Sequence, residues 1–143
     1  MADKKVIEKF QNALKKENLK LTKQRLSILN NIVNSSGHRE CDEIYDELKV
    51  DGENASRATV YRTVGILEKY GIVRKLELGD GRARYEYKFG KGHHDHMICV
   101  ETGKIVEFMS DEIEKIQDKI AEEHGYEIIK HIHQLFVKPI KNI

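Results

Sequence analysis

The order of its periodic segments constrains the fold of this 143-residue chain more than any other feature. Apolar residues recur at helical spacing in four segments, at about residues 4–16, 22–35, 41–50 and 57–70. Two β-type segments follow at 72–78 and 82–87, and the Gly-Asp-Gly sequence between them is typical of a hairpin turn. Helices followed directly by a hairpin predict a winged helix-turn-helix.

The rest of the chain mixes strands with one helix. The predicted elements are strands near 96–100 and 104–108, a helix that Ser110 caps and that ends near His124, and a last strand near 127–137. So small an α/β unit leaves sheet edges uncovered, which a two-fold partner could bury. We therefore predict an α+β protein: an N-terminal winged helix-turn-helix at 1–88, a hinge at 89–92 and a small α/β dimerisation domain at 93–143.

Charge is distributed unevenly between these two halves. Residues 1–92 contain 19 basic and 14 acidic residues, whereas residues 93–143 contain 6 basic and 10 acidic residues. Six of the seven histidines occur at or after position 93. The pattern suggests that the first half contacts a polyanion and that the second binds a cation. With neither a signal-peptide core nor a long apolar run, we expect a cytoplasmic protein without membrane contact.

The fourth predicted helix carries the residues expected to read DNA. Val60, Val64 and Leu67 form its inward stripe. The outward side chains offer hydrogen-bond donors, hydroxyls and an aromatic edge, which suit the major groove of DNA. These side chains belong to Arg57, Thr59, Tyr61, Arg62 and Thr63. Four further cations are expected to reach phosphates, namely Lys20, Lys23, Arg82 and Arg84. The predicted partner is double-stranded DNA.

Residues 93–96, which read His-His-Asp-His, form the densest group of metal-ligating side chains. Side chains alternate in an extended segment, so His94 and His96 should point to one side while His93 and Asp95 point to the other. One short segment can therefore supply two metal sites.

Residues elsewhere in the chain complete each of these sites. For the first, Glu86, Glu107 and His38 can converge with the His94 and His96 pair. For the second, Glu114 and His131 are the best-placed partners of His93 and Asp95. His133 competes with His131 for that role, and His124 suits a helix C-terminus.

Imidazole and carboxylate ligands suit Fe(II), Mn(II), Co(II) or Zn(II). Cys41 and Cys99 are too few for a disulfide framework and are read as buried thiols. Three alternatives remain open: a non-haem iron or zinc enzyme, a metal-storage module, and a constitutive winged-helix regulator with purely structural metals. An enzyme is disfavoured because no nucleophile or general base accompanies the ligands.

Several motifs together resemble the ferric uptake regulator family over nearly the whole chain. They are Leu-Lys-Leu-Thr-Lys-Gln-Arg at 19–25, Ala-Thr-Val-Tyr-Arg at 58–62, Gly-Asp-Gly-Arg-Ala-Arg-Tyr-Glu at 79–86, the His-His-Asp-His cluster and Val-Glu-Phe at 106–108. The resemblance implies a homodimer, or a dimer of dimers, that binds divalent metal and then represses promoters. It also implies that Lys20, Tyr61 and Arg62 match DNA-contacting positions.

The resemblance assigns the same ligands to two sites. It implies a regulatory site formed by His38, Glu86, His94, His96 and Glu107, and a second site formed by His93, Asp95, Glu114 and His131. Glutamate at 86 and 107 resembles the iron-sensing branch, so Fe(II) is the expected cofactor, with Zn(II) or Mn(II) able to occupy the same sites.

The sequence departs from the family pattern in two places. Many members carry a Cys-x-x-Cys motif after the histidine cluster, but Cys99 has no such partner, which excludes a four-thiolate zinc site. One extra residue separates Glu86 from the cluster, so the match is less regular at Glu86 than at the other four ligands.

Overall fold

The computed structural model describes residues 2–35, 37–90, 92 and 94–141. Its elements are α1 (Lys4–Lys16), α2 (Lys23–Asn34), α3 (Cys41–Val50), α4 (Arg57–Lys69), β1 (Val73–Glu77), β2 (Ala83–Tyr87), β3 (Asp95–Cys99), β4 (Ile105–Phe108), α5 (Asp111–Glu123) and β5 (Gln134–Val137). The predicted α+β class is confirmed. The chain divides into an N-terminal unit, residues 1–91, and a C-terminal unit, residues 92–143. The functional domain limits of 1–88 and 93–143, with a hinge at 89–92, stay predictions.

Short polar side chains set where the helices of the N-terminal unit begin. The Asp3 side chain accepts a hydrogen bond from the backbone N–H of Val6, and Thr22 and Ser56 cap α2 and α4 in the same way. These bonds satisfy donors that the first turn of a helix leaves without intrahelical partners. Helix α2 ends at Asn34, and Ser35 is its C-cap residue.

The core of the N-terminal unit is built from the inward stripes of its four helices and from β1. Phe10, Leu14, Ile28 and Leu67 are fully buried in one apolar cluster that also includes Val73. Each buried side chain of this size stabilises the folded state by about 1.5–3 kcal/mol relative to the same side chain in water. The cluster therefore fixes α4 against the other helices and leaves its opposite face in solvent.

Strands β1 and β2 form the antiparallel hairpin that the Gly-Asp-Gly sequence predicts. Val73 pairs with Tyr87 at one end, and Glu77 pairs with Ala83 at the turn. Gly79 and Gly81 both adopt positive φ, at 82° and 78°, a conformation that glycine reaches without steric cost. The hairpin therefore follows α4 as a wing.

The C-terminal unit contains a three-stranded sheet in the order β4-β3-β5. Strand β3 pairs antiparallel with β4 and parallel with β5. Ser110 caps α5 by accepting from the N–H of Ile113. Within the described part of this unit, Ile98 alone is a buried apolar side chain. The unit therefore has a much thinner core than the N-terminal one.

The last strand is shorter than its sequence predicts. The expected strand at 127–137 is wrong for residues 127–133, because β5 begins only at Gln134. Gln134, the first residue of β5, pairs with His96 near the start of the short strand β3. Residues 127–133 have no neighbouring strand and therefore cannot join the sheet.

In the described residues, no helix is both long enough and apolar enough to span a lipid bilayer.

Candidate metal centres and nucleic-acid interface

Helix α4 presents one polar face to solvent. Its N-cap hydroxyl, on Ser56, lies 2.9 Å from Oγ1 of Thr59, so the Thr59 hydroxyl is engaged in the cap. Tyr61 and Arg62 are exposed, whereas Thr63 is fully buried. The expectation that Thr63 faces DNA is therefore wrong. Thr63 lies three residues after Val60 and four before Leu67, which places it on the inward stripe.

Arg57 and Tyr61 share a contact with helix α3. Arg57 Nη1 forms an ion pair with Oδ1 of Asp42, and the Tyr61 hydroxyl donates to the same oxygen at 3.0 Å. That hydrogen bond raises the pKa of Tyr61, because it favours the protonated phenol. The Arg57 guanidinium also lies 4.9 Å from the ring centroid of Tyr45. The sequence does not predict the contacts of Asp42 and Tyr45 with Arg57, because neither residue belongs to a recognisable motif.

The cations of the wing are paired with acids. Arg84 Nη2 lies 2.9 Å from Oδ2 of Asp80, and this ion pair lowers the pKa of Asp80. Arg82 Nε lies 3.6 Å from Oε1 of Glu40 at the start of α3. Lys20 is exposed, and its backbone oxygen accepts from Arg25. Contact of any of these cations with DNA stays a prediction.

An imidazole lies beside a buried carboxylate in the N-terminal unit. Arg39 and Tyr85 exchange two backbone hydrogen bonds, which fasten the loop before α3 to β2. That bridge brings His38 beside Glu86, with 2.8 Å between Nε2 and Oε2. Glu86 is only 5% exposed, and Arg74 approaches its other oxygen at 3.8 Å. Two of the five predicted regulatory ligands are therefore adjacent.

The other three predicted regulatory ligands lie together on the sheet of the C-terminal unit. His96 on β3 is directly opposite Glu107 on β4. His94 Nε2 lies 3.5 Å from Oε1 of Glu107, and the rings of His94 and His96 are 5.0 Å apart between centroids. The two histidines therefore share one side of the segment, as alternation predicts.

The opposite side of β3 carries a second group of ligating atoms. His131 Nε2 lies 3.1 Å from Oδ1 of Asp95 and 3.4 Å from Oε1 of Glu114. One ligand atom from each of the three residues lies within 4.8 Å of the others. Two carboxylates beside one imidazole, with Asp95 buried, form a nitrogen and oxygen donor set that fits a divalent transition ion. His93, the fourth predicted ligand, lies outside the described residues.

The remaining histidines have other neighbours. The ring of His133 packs edge-on against Phe108, with 5.6 Å between centroids. His124 is the C-cap of α5, and its Nδ1 lies 2.8 Å from the backbone oxygen of Ile120. His131 precedes β5, so the prediction that it lies on the last strand is wrong.

Comparisons with known proteins agree on one family. The chain matches the ferric uptake regulator family over residues 16–136. It is 40% identical over 124 residues to the ferric uptake regulation protein of Rhizobium leguminosarum bv. viciae, covering 86% of each chain.

Three solved structures share the fold at 33–37% sequence identity. The ferric uptake regulator of Helicobacter pylori, described with three functional metal-binding sites, has a TM-score of 0.85 and 33% identity, covering 94% of this chain and 89% of that one. The regulator from Francisella tularensis with iron scores 0.77 at 37% identity, covering 85% and 92%. The regulator from Pseudomonas aeruginosa with manganese scores 0.78 at 37% identity, covering 92% and 98%. The chain therefore belongs to the ferric uptake regulator family of metal-responsive transcriptional regulators.

Proposed function

We propose that this chain is a cytoplasmic repressor that senses Fe(II) and binds operator DNA as a homodimer when the metal is held. Membership of its family makes it a transcriptional regulator and not an enzyme. The observation that carries the proposal is the division of ligands between the two units. The N-terminal unit supplies one imidazole and one carboxylate, and the C-terminal unit supplies two imidazoles and one carboxylate.

Neither of these sets is a full shell for a divalent ion, which takes about four to six ligands. We propose that His38 and Glu86 ligate jointly with His94, His96 and Glu107. A bound ion supplies the positive charge that lets the carboxylates and imidazoles of both units remain close together. The ligands thereby restrict the angles that the winged helix adopts relative to the rest of the chain.

That restriction matters because DNA recognition needs two winged helices at a fixed half-site spacing. Without the joint ligands, only a small fraction of the protein has the correct spacing. Raising that fraction from about 1% to near unity tightens the apparent DNA affinity by about a hundredfold, or on the order of 3 kcal/mol.

The exposed apolar side chains of the C-terminal unit support a homodimer. Phe136 is 54% exposed, and the exposed set also includes Val106, Met109, Ile116, Ile120 and Leu135. Exposed apolar side chains this numerous mark association surfaces in soluble proteins. A second copy of the chain would cover them, and light scattering distinguishes the dimer from a dimer of dimers.

The nature of the metal is proposed from the ligands and from the relatives. Asp95, Glu114 and His131 would form a second site together with His93, and both sites lack thiolates. The family includes structures with iron and with manganese. We propose Fe(II) in the cell, with Zn(II) or Mn(II) able to occupy the same ligands.

The proposed DNA contacts lie on α4 and just before α2. The side chains that would reach base edges are Arg57, Tyr61 and Arg62. Lys20 would reach a phosphate, and Thr59, near the cap of α4, would contact the DNA backbone. Two observations support this assignment: α4 exposes a polar face, and its opposite face is packed in the apolar core of the N-terminal unit.

The test is metal-dependent DNA binding by the full-length protein. A duplex is first selected from random-sequence DNA by the Mn(II)-loaded protein, and its affinity is then measured by fluorescence anisotropy with Mn(II), with Fe(II) under anaerobic conditions, and with chelator. We expect about a hundredfold tighter binding with metal. His96→Ala should lose the metal effect, whereas His124→Ala should retain it.

Equal affinity with and without metal would reject the regulatory proposal and favour a constitutive regulator with structural metals. Metal binding without any salt-sensitive DNA binding would favour a storage protein.

A further inference from the structure

Asp42 is an acid on the surface that is proposed to face DNA. It lies in the first turn of α3, yet its carboxylate reaches across to the exposed face of α4, where Arg57 and Tyr61 both contact Oδ1. A carboxylate on a surface that approaches phosphates costs electrostatic energy unless it is paired. Here it is paired with two of the side chains that would read DNA.

Arg57 is restrained on two sides. Its guanidinium is paired with Asp42 and lies over the ring of Tyr45. An arginine has five N–H donors in a rigid fork, so one pairing leaves others available. Arg62, on the same helix, has neither restraint within the described residues and is exposed to water. The two arginines therefore differ in how freely they can reach a phosphate.

We propose that Asp42 is a specificity-determining residue, which holds Arg57 and Tyr61 together for base recognition and withholds Arg57 from non-specific phosphate contact. The proposal rests on the proposed DNA-binding function and names a further residue of that surface. Asp42 acts through its neighbours, so it is a positioning residue.

The physical consequence is a difference between two affinities. Non-specific DNA binding arises almost entirely from phosphate contacts, and each additional cation that contacts a phosphate steepens the salt dependence by about one unit. Asp42 lowers this component by neutralising Arg57. Specific binding gains from a preorganised arginine, because fewer side-chain rotamers must be fixed when the complex forms. The ratio of specific to non-specific affinity therefore increases on both counts.

The experiment compares Asp42→Asn with Asp46→Asn in the full-length, Mn(II)-loaded protein. Asp46 is exposed one turn further along α3, so its substitution changes the charge equally, and it contacts neither Arg57 nor Tyr61 within the described part of the chain. The probes are the selected duplex and a scrambled duplex of equal length and composition, each titrated at several salt concentrations.

For Asp42→Asn we expect several-fold tighter binding of the scrambled duplex, with a salt slope steeper by about one unit. The ratio of the two affinities should fall, and Asp42→Glu should restore it in part. Asp46→Asn should leave the ratio near that of the unsubstituted protein. With Arg57→Ala already present, Asp42→Asn should no longer change the salt slope.

The proposal is overturned if Asp42→Asn leaves the ratio unchanged, or if Asp46→Asn changes it equally, since either result reduces Asp42 to part of the general charge. It is also overturned if the effect persists in the Arg57→Ala background. Thermal unfolding of each variant verifies folding, and Asp42→Glu provides the comparison should Asp42→Asn be unstable. Failure of the unsubstituted protein to bind the selected duplex would instead refute the proposed function, so the two failures are distinguishable.

Discussion

Nε2 of His131 lies 3.1 Å from Oδ1 of Asp95, although 36 residues separate them in the sequence. Asp95 is 2% exposed at the start of the central strand β3, and His131 lies in the irregular segment before β5. Glu114 on α5 completes the group. Three segments of the C-terminal unit therefore meet at side chains that can all ligate a metal ion.

Removal of the Asp95 carboxylate should remove one metal ion per chain. Asp95→Asn leaves the shape of the side chain nearly unchanged but replaces an anionic ligand by a weak one, so the remaining acid and imidazole should hold the ion poorly. We expect the metal content of purified protein, measured by mass spectrometry, to fall by about one equivalent, together with a lower melting temperature.

Asp118→Asn provides the control, because Asp118 is an exposed acid on α5. It should retain the metal content of the unsubstituted protein. Unchanged stoichiometry in Asp95→Asn would show that this group is an ordinary hydrogen-bonded cluster.

The Thr63 hydroxyl is the basis of a second prediction. Thr63 is fully buried on α4, and within the described residues its hydroxyl has no hydrogen-bond partner. Thr63→Val replaces the hydroxyl by a methyl group of similar size and removes a desolvation cost. We expect the free energy of unfolding to increase by up to about 1 kcal/mol, with unchanged DNA affinity, as measured by chemical denaturation and anisotropy.

Ser56→Ala serves as the opposing control on the same helix, since it deletes the N-cap bond and should lower the free energy of unfolding by about 1 kcal/mol. A loss of stability in Thr63→Val would mean that the hydroxyl is hydrogen-bonded in solution. A loss of DNA affinity in Thr63→Val would restore Thr63 to the reading surface.

Local patterns were enough to predict most of the fold. Helices α1 and α3 have the predicted limits, and Ser110 caps α5 as expected. Each of these features depends on residues within one or two turns, where side-chain spacing and capping chemistry act directly. The wing is similar, because its glycine turn lies between its two strands.

Features that depend on distant partners were not predictable. The segment before β5 is rich in β-branched residues, but a strand forms only beside another strand. The short strand β3 pairs with residues 134–137 and leaves the preceding residues without a neighbour. The polarity of Thr63 favours an outward position, although its spacing from Val60 and Leu67 favours burial. The pairing of Asp42 with Arg57 joins residues 15 apart on different helices and has no local signature.

The link between Glu17 and the end of α4 predicts a pH-dependent stability. Oε2 of Glu17 accepts hydrogen bonds from the Tyr70 hydroxyl at 2.8 Å and from Lys69 Nζ at 3.1 Å. The Tyr70 bond, then the Lys69 bond, lowers the pKa of Glu17. Because the folded pKa is below the unfolded value, the stabilisation is present above the unfolded pKa and is lost as the pH falls through the folded pKa.

Glu17→Gln should therefore lower the free energy of unfolding at pH 7, and the difference from the unsubstituted protein should vanish in acid, below the usual glutamate range near pH 4. Denaturant titrations over this pH range measure the effect. Glu8→Gln on the exposed side of α1 should show no comparable pH-dependent difference. A constant deficit at every pH would instead attribute the loss to packing.

The two cysteines should differ in reactivity. Burial, and then the nearby Asp42 charge, raises the pKa of Cys41 to about 11, so its reactive thiolate is scarce at neutral pH. Cys99 is partly exposed, so the expectation that it is a buried thiol is wrong. A hydrogen bond with the Thr102 side chain lowers the pKa of Cys99. Brief exposure to iodoacetamide at pH 7.5, followed by peptide mass spectrometry, should show alkylation of Cys99 and little of Cys41.

Denaturant removes both the burial and the hydrogen bond, so the two thiols should then react at similar rates, which makes the unfolded protein its own control. Thr102→Val should slow the labelling of Cys99 in the folded protein, because the thiolate loses its donor. Equal labelling of both cysteines in the folded chain would contradict the buried position of Cys41 at the start of α3. Because Cys41 directly precedes Asp42, such a result would also mean that the first turn of α3 opens readily in solution.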